Sequence, residues 1–229
     1  MLAFCGLNAC EENPAVTPPV SSQRAPIPSV EGPGQSAVPS GQRPALSAST
    51  AKRWTFDDMA TASLPTGWSF ATGRWEVTEQ RAFRQLAQSP TSVFNVVLAA
   101  GARAKDLVLR VRMRAVAGKI DRGGGVIWRA RDANNYYVAR YNPLEKNFRA
   151  YTVIAGVRTE LATSAVELDG HAWHTLETRM TADRIEGWID GKKYLEVQDR
   201  SLDEAGMIGL WTKADAMTDF DDLAFTVLR

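Results

Sequence analysis

The chain has 229 residues, 45% of them hydrophobic and 23% charged, which is enough for one large domain or two small ones. A formal net charge of +1 gives no electrostatic footprint for nucleic acid or for an anionic membrane surface. Both cysteines, Cys5 and Cys10, sit at the extreme N-terminus, so the rest of the chain has neither a disulfide nor a cysteine-ligated metal.

Residues 1–51 do not read as domain material. Eight of the eleven prolines fall there, with few large apolar residues. Such a segment buries too little apolar surface to offset its ordering entropy and is expected to be a flexible, partly polyproline linker. Its start, "MLAFCGLNAC", has a short apolar run but no basic n-region, so it is not a complete secretory signal. Leu7-Asn8-Ala9-Cys10, ahead of a Pro/Ser/Ala-rich spacer, resembles the cleavage box and tether of a bacterial lipoprotein, although Asn8 is an uncommon residue there. That resemblance implies lipidation at Cys10, and a place in the cell envelope or outside the cell, with the n-region lost to a start assigned too far downstream. The alternative is an unstructured N-terminus with two incidental cysteines. No other stretch is long and apolar enough to span a membrane, so this anchor is the only membrane link expected.

Residues 52–229 have a single-domain length and period-two alternation throughout. "LVLRVRMRA" (107–115) sets Leu107, Leu109, Val111 and Met113 against Val108, Arg110, Arg112 and Arg114. Strands follow at 125–131 and 136–142, then at 147–154, 157–163, 173–181, 184–189, 193–198, 206–213 and 220–228. Ala155-Gly156, Asp169-Gly170 and Asp190-Gly191 supply the turn chemistry. Many short strands without a βαβ rhythm predict an all-β, antiparallel sandwich or barrel.

Register follows from turn parity. A four-residue turn, Asp132–Asn135, opposes Arg131 with Tyr136, Arg129 with Val138 and Ile127 with Arg140, while Trp128 meets Ala139 and Val126 meets Tyr141. The second set is apolar and is expected to face the core, together with Ala130 and Tyr137. A two-residue turn at Ala155-Gly156 opposes Tyr151 with Glu160 outward, beside Arg149, and Ala150 with Leu161 inward. One outer face is therefore predicted to carry Arg129, Arg131, Tyr136, Arg140, Arg149 and Tyr151, to which the 107–115 strand adds Arg110 and Arg112. Guanidinium forks bond sugar hydroxyls and carboxylates, and tyrosine rings stack on pyranoses. The plainer reading is a solvated face whose arginines pair with Glu145, Glu160 or Glu167.

"GGGVIWRARDANNYYVARYN", "RIEGWIDGKKYLEV" and "GMIGLWTKADAMTDFDDLAFTV" resemble the concanavalin A-like lectin/glucanase superfamily. The likeness is nearest to laminin-G-like bacterial domains and to the 3-keto-disaccharide hydrolase group, also labelled family-sixteen glycoside hydrolase-like, and covers nearly all of residues 52–229. It implies a two-sheet jelly roll whose concave sheet face binds a carbohydrate. The expected function is an exported carbohydrate-binding module. A glycan hydrolase of the keto-disaccharide type and a laminin-G-like protein-interaction domain are the alternatives.

The resemblance also places the first and last strands side by side. This would bring together Phe56-Asp57-Asp58 and Phe220-Asp221-Asp222, with Leu223, Phe225 and Val227 facing inward and Asp221 on the core side. Four carboxylates there would suit a structural calcium; capping and ion pairing are the alternative, and no other cofactor or metal is expected. The Glu-x-Asp-x-Glu run of retaining glucanases is absent, Glu186 and Asp190 being the nearest shape. His171 and His174 lack a third ligand for zinc, no helix follows Gly123–Gly125 to build a phosphate cradle, and there is no serine or cysteine nucleophile motif.

Overall fold

The computed structural model describes residues 48–228, so most of the expected linker, with Cys10, lies outside the described residues, while residues 48–51, expected as linker, begin the first strand and pair with the last. Within them there are fifteen strands and no helix. The first five are β1 (Ala48–Trp54), β2 (Trp68–Phe70), β3 (Trp75–Val77), β4 (Phe83–Gln85) and β5 (Phe94–Ala104). Next come β6 (Leu107–Ala117), β7 (Gly124–Asp132), β8 (Asn135–Asn142), β9 (Asn147–Ile154) and β10 (Val157–Ala165). The last are β11 (His174–Thr181), β12 (Arg184–Ile189), β13 (Lys192–Gln198), β14 (Gly206–Lys213) and β15 (Met217–Leu228).

They form two antiparallel sheets packed as a sandwich, the jelly roll expected. Sheet A runs β13-β12-β11-β6-β15-β4-β3, with β1 beside β15; sheet B runs β10-β9-β8-β7-β14-β5-β2. The alternation of β6 is realised as expected: Leu107, Leu109, Val111 and Met113 are buried against the facing sheet. From sheet B they meet Val126, Trp128, Tyr137, Ala139 and Tyr141, the inward set that turn parity predicts. Each buried Leu, Val or Met among them contributes roughly 1.5–3 kcal/mol by leaving water.

The two ends of the chain do lie together. β1 pairs with β15 from Trp54↔Leu223 to Ala48↔Leu228. Phe56 and Phe220 join one aromatic chain: Phe56 lies 5.3 Å from Phe83, Phe83 5.7 Å from Trp75, and Trp75 6.0 Å from Phe220. These spacings are those of attractive ring pairs. The placement of Asp221 on the core side is corrected. Phe220, Leu223 and Phe225 are all buried, and a bulge between Asp221 and Ala224 absorbs the change of parity. Asp222 takes a left-handed φ of 50° there, a conformation aspartate tolerates well, and its amide donates to Asp221 Oδ1.

A second bulge breaks the predicted β7–β8 register. The hairpin closes on Asp132↔Asn135, but Trp128 faces Tyr137, so residues 129–131 oppose Tyr136 alone. A shift of two keeps Val126 and Trp128 inward, yet inside the bulge the faces exchange. Ala130 joins the outer apolar cluster, and Arg129, at φ 49°, turns off that face. Gly206 permits this crowding, since a Cβ on it would come within 2.3 Å of the Arg129 carbonyl carbon.

Candidate functional site: the outer face of sheet B

The outer face of sheet B has two halves. The apolar half holds Val96, Leu98, Ile127, Tyr136, Val138 and Trp211, all buried. Tyr136 accepts a hydrogen bond from Trp211 Nε1 (3.1 Å), and burial pushes its hydroxyl pKa up. The Arg158 guanidinium lies over the rings of Phe94, Tyr151 and Trp211, 4.4 Å from the Tyr151 centroid. Such cation–ring contacts hold the arginine flat on the aromatic surface.

The polar half is built around Arg140 on β8. Its guanidinium is almost wholly buried and donates to Asp121 Oδ1 (3.0 Å) and to both Glu145 oxygens (3.0 and 3.3 Å). The turn "NPLEKN" (142–147) delivers Glu145. Asn142 Oδ1 accepts the Leu144 and Glu145 amides, while its Nδ2 donates to Asp121 Oδ1 (2.9 Å) and Glu145 Oε1 (3.2 Å). This Asx-type turn folds the carboxylate back over the sheet. Asn147 Nδ2 donates to Glu145 Oε2 (3.0 Å). Asp121 arrives on the loop before β7, which Asp215 anchors by accepting the amides of Lys119, Ile120 and Asp121.

Around this buried centre stand groups that reach water. Arg149 on β9 lies opposite Arg140 and meets Glu145 Oε2 (3.4 Å), Glu160 Oε2 (3.3 Å) and Thr163 Oγ1 (3.1 Å). Lys213 lies 3.6 Å from Asp121. Side-chain exposure is 31% for Arg149 and 42% for both Glu145 and Glu160. Hydrogen bonding to Arg140 is the largest cause holding the Glu145 pKa down, to about 2, against the opposing effect of burial. Arg140 is raised: burial lowers it most as a single effect, but Glu145 and Asp121 together outweigh it.

Of the six residues predicted for one face, the structure groups Tyr136, Arg140, Arg149 and Tyr151. Tyr151 sits opposite Glu160, as the two-residue turn requires, with its hydroxyl 3.5 Å from Arg149. Tyr136 and Tyr151 are themselves buried. Arg129 does not belong: it donates to the carbonyls of Lys105 (2.7 Å), Leu202 (2.8 Å) and Ala182 (2.6 Å) and to Asp106 (3.2 Å), at one end of the sandwich. Arg131 is exposed beside the hairpin turn. Arg110 and Arg112 belong to sheet A, where Arg110 pairs with Glu177 and Arg112 with Asp222. Sequence reasoning missed Asp121, Asn142, Asn147 and Lys213; the one signal available was the pair of asparagines flanking a Pro-containing turn.

Neither histidine is poised for chemistry. His174 bridges Asp190 and the Asp169 carbonyl, and His171 lies 3.0 Å from Arg122. Among the described residues no cluster of three or more His, Cys, Asp or Glu is arranged around a metal position. At the paired Phe-Asp-Asp segments Asp222 meets Arg53 (2.6 Å) and Arg112 (3.3 Å), the ion pairing that stands as the alternative to calcium.

Residues 55–226 match the family model of the 3-keto-alpha-glucoside-1,2-lyase-like domain. No curated protein matches the chain. Among solved structures, carbohydrate binding module CBM66 from Bacillus subtilis is similar over 70% of this chain and 96% of that one, with a TM-score of 0.63 and 20% identity. The Bacillus licheniformis beta-glucanase is similar over 79% and 99%, with a TM-score of 0.57 and 13% identity. The exoplasmic/lumenal domain of VIP36, solved in a Ca2+/Man3GlcNAc-bound form, is similar over 71% and 84%, with a TM-score of 0.53 and 17% identity. At these identities the structural likenesses establish the concanavalin A-like jelly roll. The family match goes further: the chain belongs to the 3-keto-alpha-glucoside-1,2-lyase-like domain family, a glycan-related family on that fold.

Proposed function

We propose that the domain is a carbohydrate-binding module that holds a glycan on the polar half of the outer face of sheet B. One observation carries the reading: a buried Arg140–Asp121 pair fixes the half-exposed Arg149, Glu145 and Glu160 in one network. Side chains held this way lose little entropy on binding. Three cations (Arg140, Arg149, Lys213) alternate with three carboxylates (Asp121, Glu145, Glu160), so donors and acceptors interleave as the hydroxyls of a neutral sugar require. The protein is also proposed to be exported and anchored through lipid on Cys10, which metabolic labelling with a fatty acid and its loss in Cys10→Ser would test.

A glycan array on the whole chain, followed by calorimetry, tests the binding reading. Arg149→Ala removes a charged donor, a contact worth about 1.5–3 kcal/mol, so affinity is expected to fall roughly tenfold or more. Stability is expected to change by about 1 kcal/mol or less, because the ion pairs it breaks with Glu145 and Glu160 reach solvent. Unchanged affinity for every glycan detected would sink the reading.

The family description favours a second reading, lyase chemistry on a keto-glucoside. Elimination beside a ketone needs a base for the acidic C–H proton and an acid for the departing oxygen. Glu145, held at about 2, is a poor base, which leaves Glu160 and Tyr151, partners in register on β10 and β9, as the candidate pair. Product formation from a 3-keto-glucoside, abolished in Glu160→Gln, would favour this reading over simple binding.

A further inference from the structure

Between the β1 edge of sheet A and the β2–β5 edge of sheet B lies a cavity of about 380 Å³, lined by Lys52, Arg53, Trp54, Gly67, Trp68 and Gly101 among others. It is remote in sequence and in sheet position from Arg140 and Arg149, and its chemistry differs. Trp68 is 6% exposed and packs edge-on against Trp54 (5.6 Å) and Phe83 (5.7 Å). Its indole N–H nevertheless meets no acceptor among the described residues. That N–H is itself shielded from solvent, so Trp68 serves the cavity as a rigid aromatic wall and not as a donor to what enters it.

The cations give that partner a sign. Lys52 pairs in register with the inward-facing Phe225, and its ammonium donates to the Gly101 carbonyl (2.6 Å), reaching from one sheet to the other. No carboxylate lies within ion-pair distance of Lys52 among the described residues; Arg53 is paired with Asp222. A carbonyl satisfies one of the three donors of an ammonium and none of its charge.

We propose that this cavity is a second ligand site and that it takes a carboxylated sugar, a hexuronate. The carboxylate answers Lys52, and Trp54, braced edge-on by Trp68, offers flat apolar surface to the sugar's C–H face. The volume is at the lower end of the range for small-molecule sites, which suits one or two sugar units. The contrast with the polar half of the outer face of sheet B is chemical: there three cations meet three carboxylates and match neutral hydroxyls, whereas Lys52 at the edge cavity has no carboxylate beside it among the described residues.

Titration of the whole chain with glucuronate and with glucose tests this. Glucuronate is expected to bind at least tenfold more tightly than glucose. Lys52→Gln is expected to erase that preference while leaving the melting temperature in place, since Lys52 is exposed. The Trp68→Phe variant, which keeps an aromatic ring but removes the N–H, identifies the Trp68 indole ¹⁵N–¹H resonance by its disappearance, and in the unmodified chain that resonance is expected to move on titration with glucuronate. Equal affinity for the two sugars, an unaltered preference in Lys52→Gln, or loss of glucuronate binding in Arg149→Ala with Lys52→Gln unaffected would each overturn the assignment. The last outcome would move the uronate to the face of sheet B.

Discussion

Arg129 and Arg140 stand on adjacent strands, and each is about 1% exposed, yet they belong to different kinds of region. Arg129 is met mainly by backbone carbonyls from three connections: the β5–β6 turn, the β11–β12 turn and the loop before β14. Those partners have no freedom to exchange it for a ligand, and the guanidinium bolts one end of the sandwich. Arg140 is met by side chains from the loops flanking a sheet face: Asp121 is buried with it, whereas Glu145 reaches water and passes the network on to Arg149. Burial alone therefore does not separate a structural arginine from a binding one. The kind of partner does: backbone carbonyls around Arg129, side chains around Arg140.

The contrast breaks most readily at Arg129. Arg129→Ala leaves three carbonyls and the Asp106 carboxylate without their donor, and removing one member of a buried charged network costs about 3–5 kcal/mol. Urea denaturation is expected to show a loss of that size, with any glycan bound by the surviving folded fraction unaffected. If Arg129→Ala instead weakened binding and spared stability, Arg129 would belong to the face and the two regions would not differ as described.

Turn parity explains why this difference was hidden in the sequence. The inward stripe Leu107, Leu109, Val111, Met113 was legible because one face of β6 is buried and the other is charged, and the strands from 107 onward fall where alternation puts them. β5 was not legible, because Val96 and Leu98 are buried on one face and Val97 and Ala99 on the other, leaving no polar phase to count. β2, β3 and β4, at three residues each, are too short to show a period. At the site, Arg140, Arg149 and the Tyr151–Glu160 pair followed from two-residue periodicity. Arg129 did not, because a bulge resets parity locally and is set by contacts such as the close approach of Gly206, which are distant in sequence. The carboxylates that neutralise Arg140 come from loops, which carry no periodicity at all.

A smaller effect sharpens the Arg140 side of the comparison. The Glu145 carboxyl is held at about 2, below its unfolded value near 4.5, so its contribution to stability is present above pH 4.5 and is lost as pH falls through 2. Other carboxylates held below their usual pKa, such as Asp215 with its three backbone amides, also contribute to the acid profile, so the readout is the difference between two proteins. Between pH 4.5 and 2 the wild type is expected to lose more stability than Glu145→Gln. Because Glu145 is 42% exposed, solvent screening keeps that difference small. Parallel acid profiles would mean that Arg140 draws its compensation from Asp121 alone.

The smallest expected effect concerns the paired Phe-Asp-Asp segments, where arginines meet carboxylates in the open. Arg53 is 64% exposed and Arg112 42%, so their pairs with Asp222 are surface pairs, and such pairs contribute about 0–1 kcal/mol. Asp222→Asn isolates this contribution, because asparagine accepts the same left-handed φ and only the charge is removed. A loss below about 1 kcal/mol is expected, shrinking further in high salt as screening grows. A chelator is expected to leave the melting temperature unchanged, since the arginines already neutralise Asp222. A drop of several degrees on chelation, restored by calcium, would show instead that metal binding to the folded state stabilises this closure, and that Arg53 and Arg112 move aside to admit the ion.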